Sequence, residues 1–289
     1  MTYGKIASQK PRNDRKSIFD QNYNMLSKLI EIKEPNAFLE SPVVAPSGDV
    51  FFSDIANNRI LKFDSKTRDY LVFRAPSGRA NGLHFDKSGN LIVCEGNEMG
   101  PNDGGRRMAK INIETGELKV LTDNFEGKKY NAPNDLVIRS SGQIFFTDPC
   151  YGDRSYMELG HESVYRIDAD GKVTRLITQP EIQRPNGLAL SPDEKILYIV
   201  DSLTIVGGNR KIWAFDLSDG GEVSNQRLVF DFVPGRGGDG MTVDQSGNLF
   251  IAAGINKPRG PKETGDFSAG VYIVAPQGEL KGKISVPED

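Results

Sequence analysis

The chain of 289 residues is poor in the two residue types that most often mark redox, zinc or nucleophilic chemistry, with two cysteines and two histidines. Cys94 and Cys150 are too few for a disulfide framework, and together with His84 and His161 they show none of the short ligand spacing typical of a zinc site. A serine hydrolase would need a histidine base, and no G-x-S-x-G motif is present. We expect these four residues to be packing or surface residues.

An excess of basic charge and a long apolar run are also missing. Lysine plus arginine (36) nearly balance aspartate plus glutamate (39), which gives a net charge of −3 and no basic stripe for a phosphate backbone. No apolar run is long enough to span a membrane, and the N-terminal segment lacks the apolar region of a secretory signal. We therefore expect a soluble, cytoplasmic protein that binds neither nucleic acid nor membrane.

No long amphipathic helical period is present either, whereas glycine (31) and proline (16) are plentiful. This balance favours short strands joined by tight turns. A turn followed by an apolar, β-prone run recurs five times, at steps of 41, 53, 52 and 53 residues, close to the length of a propeller blade. The turn positions are Gly48, Gly89, Gly142, Glu194 and Gly247.

Each of these runs is followed by a second apolar run and a further turn, so that one repeat supplies the four antiparallel strands of a blade. We predict an all-β fold, a β-propeller of the six-bladed type over residues 38–289, with five full blades and an incomplete sixth. The N-terminal extension, residues 1–37, contains a candidate blade-closing strand at Ser27–Lys33. The loops Asn97–Arg107 and Asn256–Ala269 are expected to cover one end of the channel.

A polar residue precedes each turn position by eight residues. Blades are related by rotation about a central axis, so equivalent positions should converge at one end of the channel. Asn and Asp also cap turns through their side chains, but five polar residues in one register favour a shared site. We call these residues the ring residues: they are Glu40, Asn81, Asn134, Asn186 and Asp239.

The ring residues offer two carboxylates and up to three amide oxygens, with no thiolate or imidazole. Such a set suits a hard cation, and calcium accepts about six to eight oxygen ligands in flexible geometry. We predict Ca²⁺, while another divalent cation such as Mg²⁺ or Zn²⁺ stays open. A cation held by only two negative charges would polarise a carbonyl and acidify a bound water.

Three motifs carry a resemblance to a known family: Tyr130–Val137 leading to Phe146–Gly152, Arg184–Ala189 with Ser191–Asp193, and Gly238–Met241 with Asp244. From about Phe38 to the C-terminus the chain resembles the gluconolactonase and regucalcin-like six-bladed propellers of the SMP-30/gluconolactonase family. The resemblance implies a calcium-dependent lactonase.

In that family pattern Glu40, Asn134, Asn186 and Asp239 would hold a catalytic divalent metal, and Asn81 would border the substrate pocket. The chain departs from the pattern at Ala132, where regucalcin-like members have an arginine. It also departs in the segment after Glu40, where many members have Gly-Pro followed by tryptophan.

The predicted function is hydrolysis of a small lactone, with a sugar lactone as the expected substrate. Asp239 is the predicted general base and Asp135 is the second candidate. The predicted substrate-binding residues are Asn81, Glu98, Asp103, Arg106 and Arg107. Aryl lactones and organophosphates would also fit such a site, and the oligomeric state stays open. The alternative is a non-enzymatic propeller that presents its loops to a partner.

Overall fold

The computed structural model describes residues 35–97, 103–205, 207–257 and 265–286. Within these ranges the chain forms five sheets of four antiparallel strands, each paired in chain order, and we call each sheet a blade. The predicted all-β propeller with four-stranded blades is confirmed. The described residues form five blades rather than the six of the predicted type, and the predicted strand Ser27–Lys33 lies outside the described residues.

The strands follow one another in simple order. Blade 1 contains β1 (Leu39–Val44), β2 (Val50–Asp54), β3 (Arg59–Phe63) and β4 (Tyr70–Arg74). Blade 2 contains β5 (Ala80–Phe85), β6 (Leu91–Glu95), β7 (Arg107–Ile111) and β8 (Leu118–Thr122). A small hairpin, β9 (Asn124–Phe125) and β10 (Lys128–Lys129), leads to blade 3.

Blade 3 contains β11 (Leu136–Ile138), β12 (Ile144–Asp148), β13 (Ser163–Ile167) and β14 (Val173–Thr178), with a 3-10 helix at Arg154–Tyr156. Blade 4 contains β15 (Pro185–Leu190), β16 (Ile196–Ser202), β17 (Arg210–Leu217) and β18 (Val223–Asp231). Blade 5 contains β19 (Gly238–Val243), β20 (Leu249–Ala253), β21 (Gly270–Val274) and β22 (Leu280–Ser285). The described residues include no helix that is long and apolar enough to cross a membrane.

The five predicted turns share one geometry. At each, the residue in the turn position donates its N–H to the carbonyl three residues earlier, at 2.8 to 3.0 Å. Four of the positions are glycines with φ between 79° and 92°, whereas Glu194 takes the same left-handed conformation at φ 56°. The repeat detected as a sequence pattern is therefore a repeat of hydrogen bonding as well.

The core consists of four apolar clusters, each between two successive blades. Alternate residues of a strand face opposite sides of its sheet, so one strand supplies two clusters. In β6, Leu91 packs between blades 1 and 2, whereas Ile92 packs between blades 2 and 3. In β12, Phe146 faces blade 2 and Phe145 faces blade 4. A fourth cluster joins blades 4 and 5.

In the described part of the chain, no such cluster joins blade 5 to blade 1. We call the space between blades 5 and 1 the opening. The innermost strands on its two sides are more exposed than the other innermost strands. Strand β5 begins with four buried residues and β15 with five, whereas β1 contains no buried residue and β19 only Gly238. Val44 of β1 is 64% exposed. Among the described strands, β1 and β19 therefore each have a neighbouring innermost strand on one side only.

Successive innermost strands approach closely beside the ring residues. A Cβ atom on Gly187 would lie 2.4 Å from the carbonyl oxygen of Asp239, and one on Gly82 would lie 2.5 Å from that of Asn134. Both distances are shorter than any Cβ contact that a folded chain accepts. Gly240 occupies the corresponding place in blade 5, where a Cβ would meet no atom within 4 Å. At Gly82 and Gly187, but not at Gly240, the close approach of a neighbouring blade thus requires glycine.

This difference provides a test of the packing around the channel. We expect Gly187→Ala to lower the free energy of unfolding by about 1 to 3 kcal/mol, because the methyl group must push two blades apart. Gly240→Ala is the matched control and should change it by less than about 0.5 kcal/mol. Neither glycine has the positive φ that would strain an alanine, so the comparison isolates the contact. Equal effects in urea denaturation would contradict this packing.

Candidate active site

A β-bulge lies near the start of the innermost strand in four blades. In blade 1, Glu40 pairs with Ser53 and Val43 with Phe51, so β1 contains one more residue than β2 over this stretch. The same shift lies between Ala80 and Leu83, Pro185 and Leu188, and Gly238 and Met241. A bulge turns a side chain away from the direction that the pleat would give it.

Asn81, Asn186 and Asp239 lie within these bulges, and Glu40 lies at the start of the bulge in β1. Glu40, Asn81, Asn186 and Asp239 are each the second residue of their strand, and Asn134 lies two residues before β11. The three asparagines are 6 to 8% exposed, whereas Glu40 and Asp239, on the strands beside the opening, are half-buried. The shared backbone position of the five residues is as the spacing predicts.

Asn186 and Asp239 are in direct contact. The amide nitrogen Nδ2 of Asn186 lies 2.6 Å from Oδ1 of Asp239, which joins blade 4 to blade 5. Burial raises the pKa of Asp239, and this effect outweighs the opposing effects of Arg236 and Asn186. A desolvated carboxylate of this kind gains from a bound cation, because the cation replaces the hydration that burial removes.

Asp135 links two blades through its carboxyl group. One oxygen accepts the N–H of Leu136 at 2.8 Å, and the other accepts the N–H of Leu188 in blade 4 at 3.2 Å. Burial raises its pKa to about 7, and the nearby charge of Asp239 contributes in the same direction. Ser41, at the corresponding position in blade 1, likewise accepts the N–H of Leu83 in blade 2 at 2.8 Å. Asp135 thus combines an inter-blade bond with proximity to Asp239.

The predicted substrate-binding loop is only partly described, and Glu98 lies outside the described residues. Asp103 accepts a bond from Nε of Arg79 at 2.8 Å, and Arg107 donates to the buried Glu95 at 2.7 Å. Arg106 is 4% exposed and donates to the carbonyl of Tyr130 at 2.6 Å. None of these bonds is to a ring residue, so the predicted contacts with substrate hydroxyl groups stay predictions.

A different loop, residues 149–162 between β12 and β13, brings a residue to the ring that the sequence analysis missed. The hydroxyl oxygen of Tyr151 lies 2.6 Å from Nδ2 of Asn186. Sequence offered one signal: Tyr151 follows the run Thr147-Asp148-Pro149 in a loop between second and third strands. Loops at that place in the repeat were predicted to cover the channel, but the prediction named only Asn97–Arg107 and Asn256–Ala269.

Buried carboxylates hold the chain just before the ring residues. Asp148 accepts the N–H groups of Asn131 and Ala132 at 2.9 and 2.8 Å. Asp201 accepts those of Gln183 and Arg184 in the same way. Each carboxylate lies at the end of its second strand and binds the residue two places before an asparagine of the ring. Asp54 likewise accepts the N–H of Phe38 at 3.1 Å, and we call Asp54, Asp148 and Asp201 the anchor carboxylates; all three are 0% exposed.

The histidines and cysteines have structural surroundings. Nδ1 of His84 lies 2.9 Å from the carbonyl oxygen of Phe85, and His161 contacts Ser163 and Arg175. Both cysteines are buried free thiols. Among the described residues, no three His, Cys, Asp or Glu side chains are grouped as a metal site. A cation at the ring would therefore depend on the asparagine oxygens as well as on carboxylates, which fits a hard cation and not zinc.

Comparisons with known families, sequences and structures all indicate the same family. The family described as "SMP-30/Gluconolactonase/LRE-like region" matches residues 38–289. A gluconolactonase of Zymomonas mobilis is 32% identical over 98% of this chain and 78% of its own length. Regucalcin of Oryctolagus cuniculus is 27% identical over 74% of this chain and 67% of its own. A solved gluconolactonase from Xanthomonas campestris has a TM-score of 0.71 at 29% identity, over 87% of this chain and 77% of its own.

The anchor carboxylate Asp148 generates a prediction about pH. Burial raises its pKa from 3.8 to about 8, and this effect outweighs its two bonds from backbone N–H groups. The folded chain therefore binds a proton that the unfolded chain releases. The stability that this proton contributes is complete below pH 4 or so and is lost as the pH rises through about 8.

We expect the stability of the wild type to fall relative to that of Asp148→Asn between about pH 5 and pH 8, by up to about 1.4 kcal/mol per pH unit. Asp170→Asn, at an exposed turn, serves as the control and should follow the wild type. Urea denaturation in the presence of a chelator measures all three proteins. Parallel pH curves for the wild type and Asp148→Asn would show that Asp148 does not retain its proton in the folded state.

Proposed function

The chain belongs to the SMP-30/gluconolactonase/LRE-like family, and on this premise we propose that it is a lactonase that uses a divalent cation, Ca²⁺, to open sugar lactones. The activity is supported by the gluconolactonase relative, which the chain matches over nearly its whole length. The observation in the structure that carries the proposal is the contact between Asn186 and the half-buried Asp239 at the bulges of adjacent blades.

Glu40, Asn134, Asn186 and Asp239 would hold the cation, and their oxygen donors suit calcium. A cation bound there supplies Lewis acidity, which polarises a carbonyl and lowers the pKa of a bound water. Asp239 would accept a proton from the attacking water, whose oxygen bonds to the lactone carbonyl carbon. The ester C–O bond then breaks, the proton passes to the ring oxygen, and a hydroxy acid results.

A non-enzymatic propeller that presents loops to a partner accounts less well for these contacts. Burial of Asp239 and Asp135 near each other costs stability unless a cation or a proton offsets their charges. A surface used only for protein binding has no need of such a pair at the mouth of its channel. The lactonase is therefore the better explanation of the site.

We also propose that the functional ring has six blade positions. The support is the opening between blades 5 and 1, where β1 and β19 are partly exposed while β5 and β15 are buried. A sixth blade at this place would cover the apolar side chains that the opening leaves in contact with solvent, such as Val44.

The cation generates the first test. We expect isothermal titration calorimetry to detect one Ca²⁺ site per chain, which Glu40→Gln weakens because it removes one of the two carboxylates from the ring. Glu114→Gln, at an exposed turn remote from the ring residues in sequence, is the control. Removal of divalent cations by a chelator should abolish hydrolysis of D-glucono-1,5-lactone, and added Ca²⁺ should restore it. Full activity in the chelated protein would contradict the cation's role.

The general base generates the second test. At saturating Ca²⁺, Asp239→Asn should lower kcat by about 10² to 10⁴, because the amide cannot accept the proton of the water. Asn81→Ala should raise KM and lower kcat less than about tenfold, since it removes only a contact with substrate. Similar mild losses in both variants would mean that Asp239 is not the base, and Asp135 would then be tested in its place.

A further inference from the structure

Tyr151 contacts one of the ring residues, although it is not a ring residue itself. Its loop belongs to blade 3, yet its hydroxyl lies 2.6 Å from the side chain of Asn186 in blade 4. The same amide nitrogen lies 2.6 Å from Asp239 in blade 5. The hydroxyl is thus one hydrogen bond from a proposed metal ligand and two from the proposed general base.

The tyrosine ring is held in place by a fixed cation. The guanidinium of Arg184 lies 5.1 Å from the centre of the Tyr151 ring, within the range of a cation–π interaction. Nε of Arg184 donates to Glu162 at 3.0 Å. Glu162 is 1% exposed and also accepts the N–H of Cys150, the residue before the tyrosine, at 3.1 Å. One buried carboxylate therefore fixes both the loop and the cation beside the tyrosine ring.

The ring of Tyr151 is not itself enclosed. The residue is 39% exposed although its hydroxyl contacts the buried Asn186. A tyrosine hydroxyl can donate one hydrogen bond while it accepts others. Because the Asn186 amide donates to this oxygen, the hydrogen of the hydroxyl remains for a second acceptor. A molecule bound at the mouth of the channel can supply that acceptor.

We propose that Tyr151 is a catalytic residue whose hydroxyl donates a hydrogen bond to the reacting end of the bound lactone, at its carbonyl or ring oxygen. The inference rests on the proposed lactonase function. Negative charge develops on these two oxygens as the water adds and the ring opens, so a fixed donor stabilises the transition state more than the bound lactone. The tyrosine keeps its proton throughout, and no bond to it forms or breaks.

The position of the Tyr151 hydroxyl favours a contact with the reacting end of the lactone over a contact with its hydroxyl substituents. Asn186 and Asp239 are assigned to the groups that act on the carbonyl, and the Tyr151 hydroxyl is in the same chain of contacts. A contact with a distant substituent would be expected from a side chain farther from that pair. The inference therefore predicts that the loss of the hydroxyl affects lactones with and without hydroxyl substituents alike.

The same loop offers a matched control. Tyr156 also lies beneath an arginine, with the guanidinium of Arg106 5.4 Å from its ring centre. Its hydroxyl is 3.9 Å from Sγ of Cys150. Tyr151→Phe and Tyr156→Phe each remove one hydroxyl from the loop and keep the ring and its cation. Only the first removes a group in contact with the ring residues described above.

The experiment measures kcat and KM of both variants at saturating Ca²⁺ with D-glucono-1,5-lactone and with dihydrocoumarin, which has no hydroxyl substituent. We expect Tyr151→Phe to lower kcat by about 10²- to 10³-fold for both lactones, the usual effect of removing one donor to a developing oxyanion. KM should change little. Tyr156→Phe should behave as the wild type. Calorimetric Ca²⁺ affinity and the melting temperature of Tyr151→Phe should equal those of the wild type.

Three results would overturn the inference. An unchanged kcat would show that the hydroxyl does not act in the reaction. A loss confined to D-glucono-1,5-lactone would assign it to a substituent, and a loss explained by weaker Ca²⁺ binding would make Tyr151 a positioning residue for the metal. If Glu40→Gln is inactive while Tyr151→Phe is fully active, the lactonase function stands and only this inference fails. A wild type inactive on every lactone would instead overturn the proposed function.

Discussion

The site depends on hydrogen bonds from the backbone of the incoming innermost strands of blades 1, 3 and 4 to a carboxylate buried in the same blade. The N–H groups of residues such as Ala132 and Arg184 would otherwise be left without partners as the chain enters the core, at a cost of about 1 to 3 kcal/mol each. Asp148 and Asp201 accept them at 2.8 Å. The ring asparagine follows two residues later, so its backbone starts from a fixed point.

What lies between that fixed point and the channel is a bulge. Without the additional residue, the pleat would continue and the side chain of the ring residue would alternate with its neighbours across the sheet. The close contact that Gly187 allows with the carbonyl of Asp239 brings successive bulges together. Blade 5 has Ala253 in place of an anchor carboxylate, opposite Gly238. There, Asp239 is instead held through its own side chain by Asn186.

Local patterns in the sequence predict the blades and the shared position of the ring residues, because turn spacing and strand alternation are properties of neighbouring residues. The anchor carboxylates recur in three blades, yet their role depends on pairing across a hairpin, which the order of residues along one strand does not show. The approach of Tyr151 to Asn186 joins residues 35 positions apart in different blades. No local pattern contains such a contact. Arg106 is predicted to bind substrate because it is charged and lies in a loop, and in the structure its guanidinium donates to the backbone carbonyls of Tyr130 and Tyr156.

The two carboxylates of the ring come from the two blades that flank the opening. Glu40 belongs to blade 1 and Asp239 to blade 5, and among the described residues the apolar clusters that connect these two blades pass around blades 2, 3 and 4. The carboxylates of Glu40 and Asp239 carry like charges and repel each other, which favours separation of blades 1 and 5. A cation held by both would reverse that force and tie the first blade to the last. The free energy of cation binding would then add to the stability of the whole propeller. A ligand that binds only the folded state stabilises that state in proportion to the logarithm of the ligand concentration divided by the dissociation constant. The arrangement that prepares the site for catalysis would in this way also make closure of the fold depend on the metal.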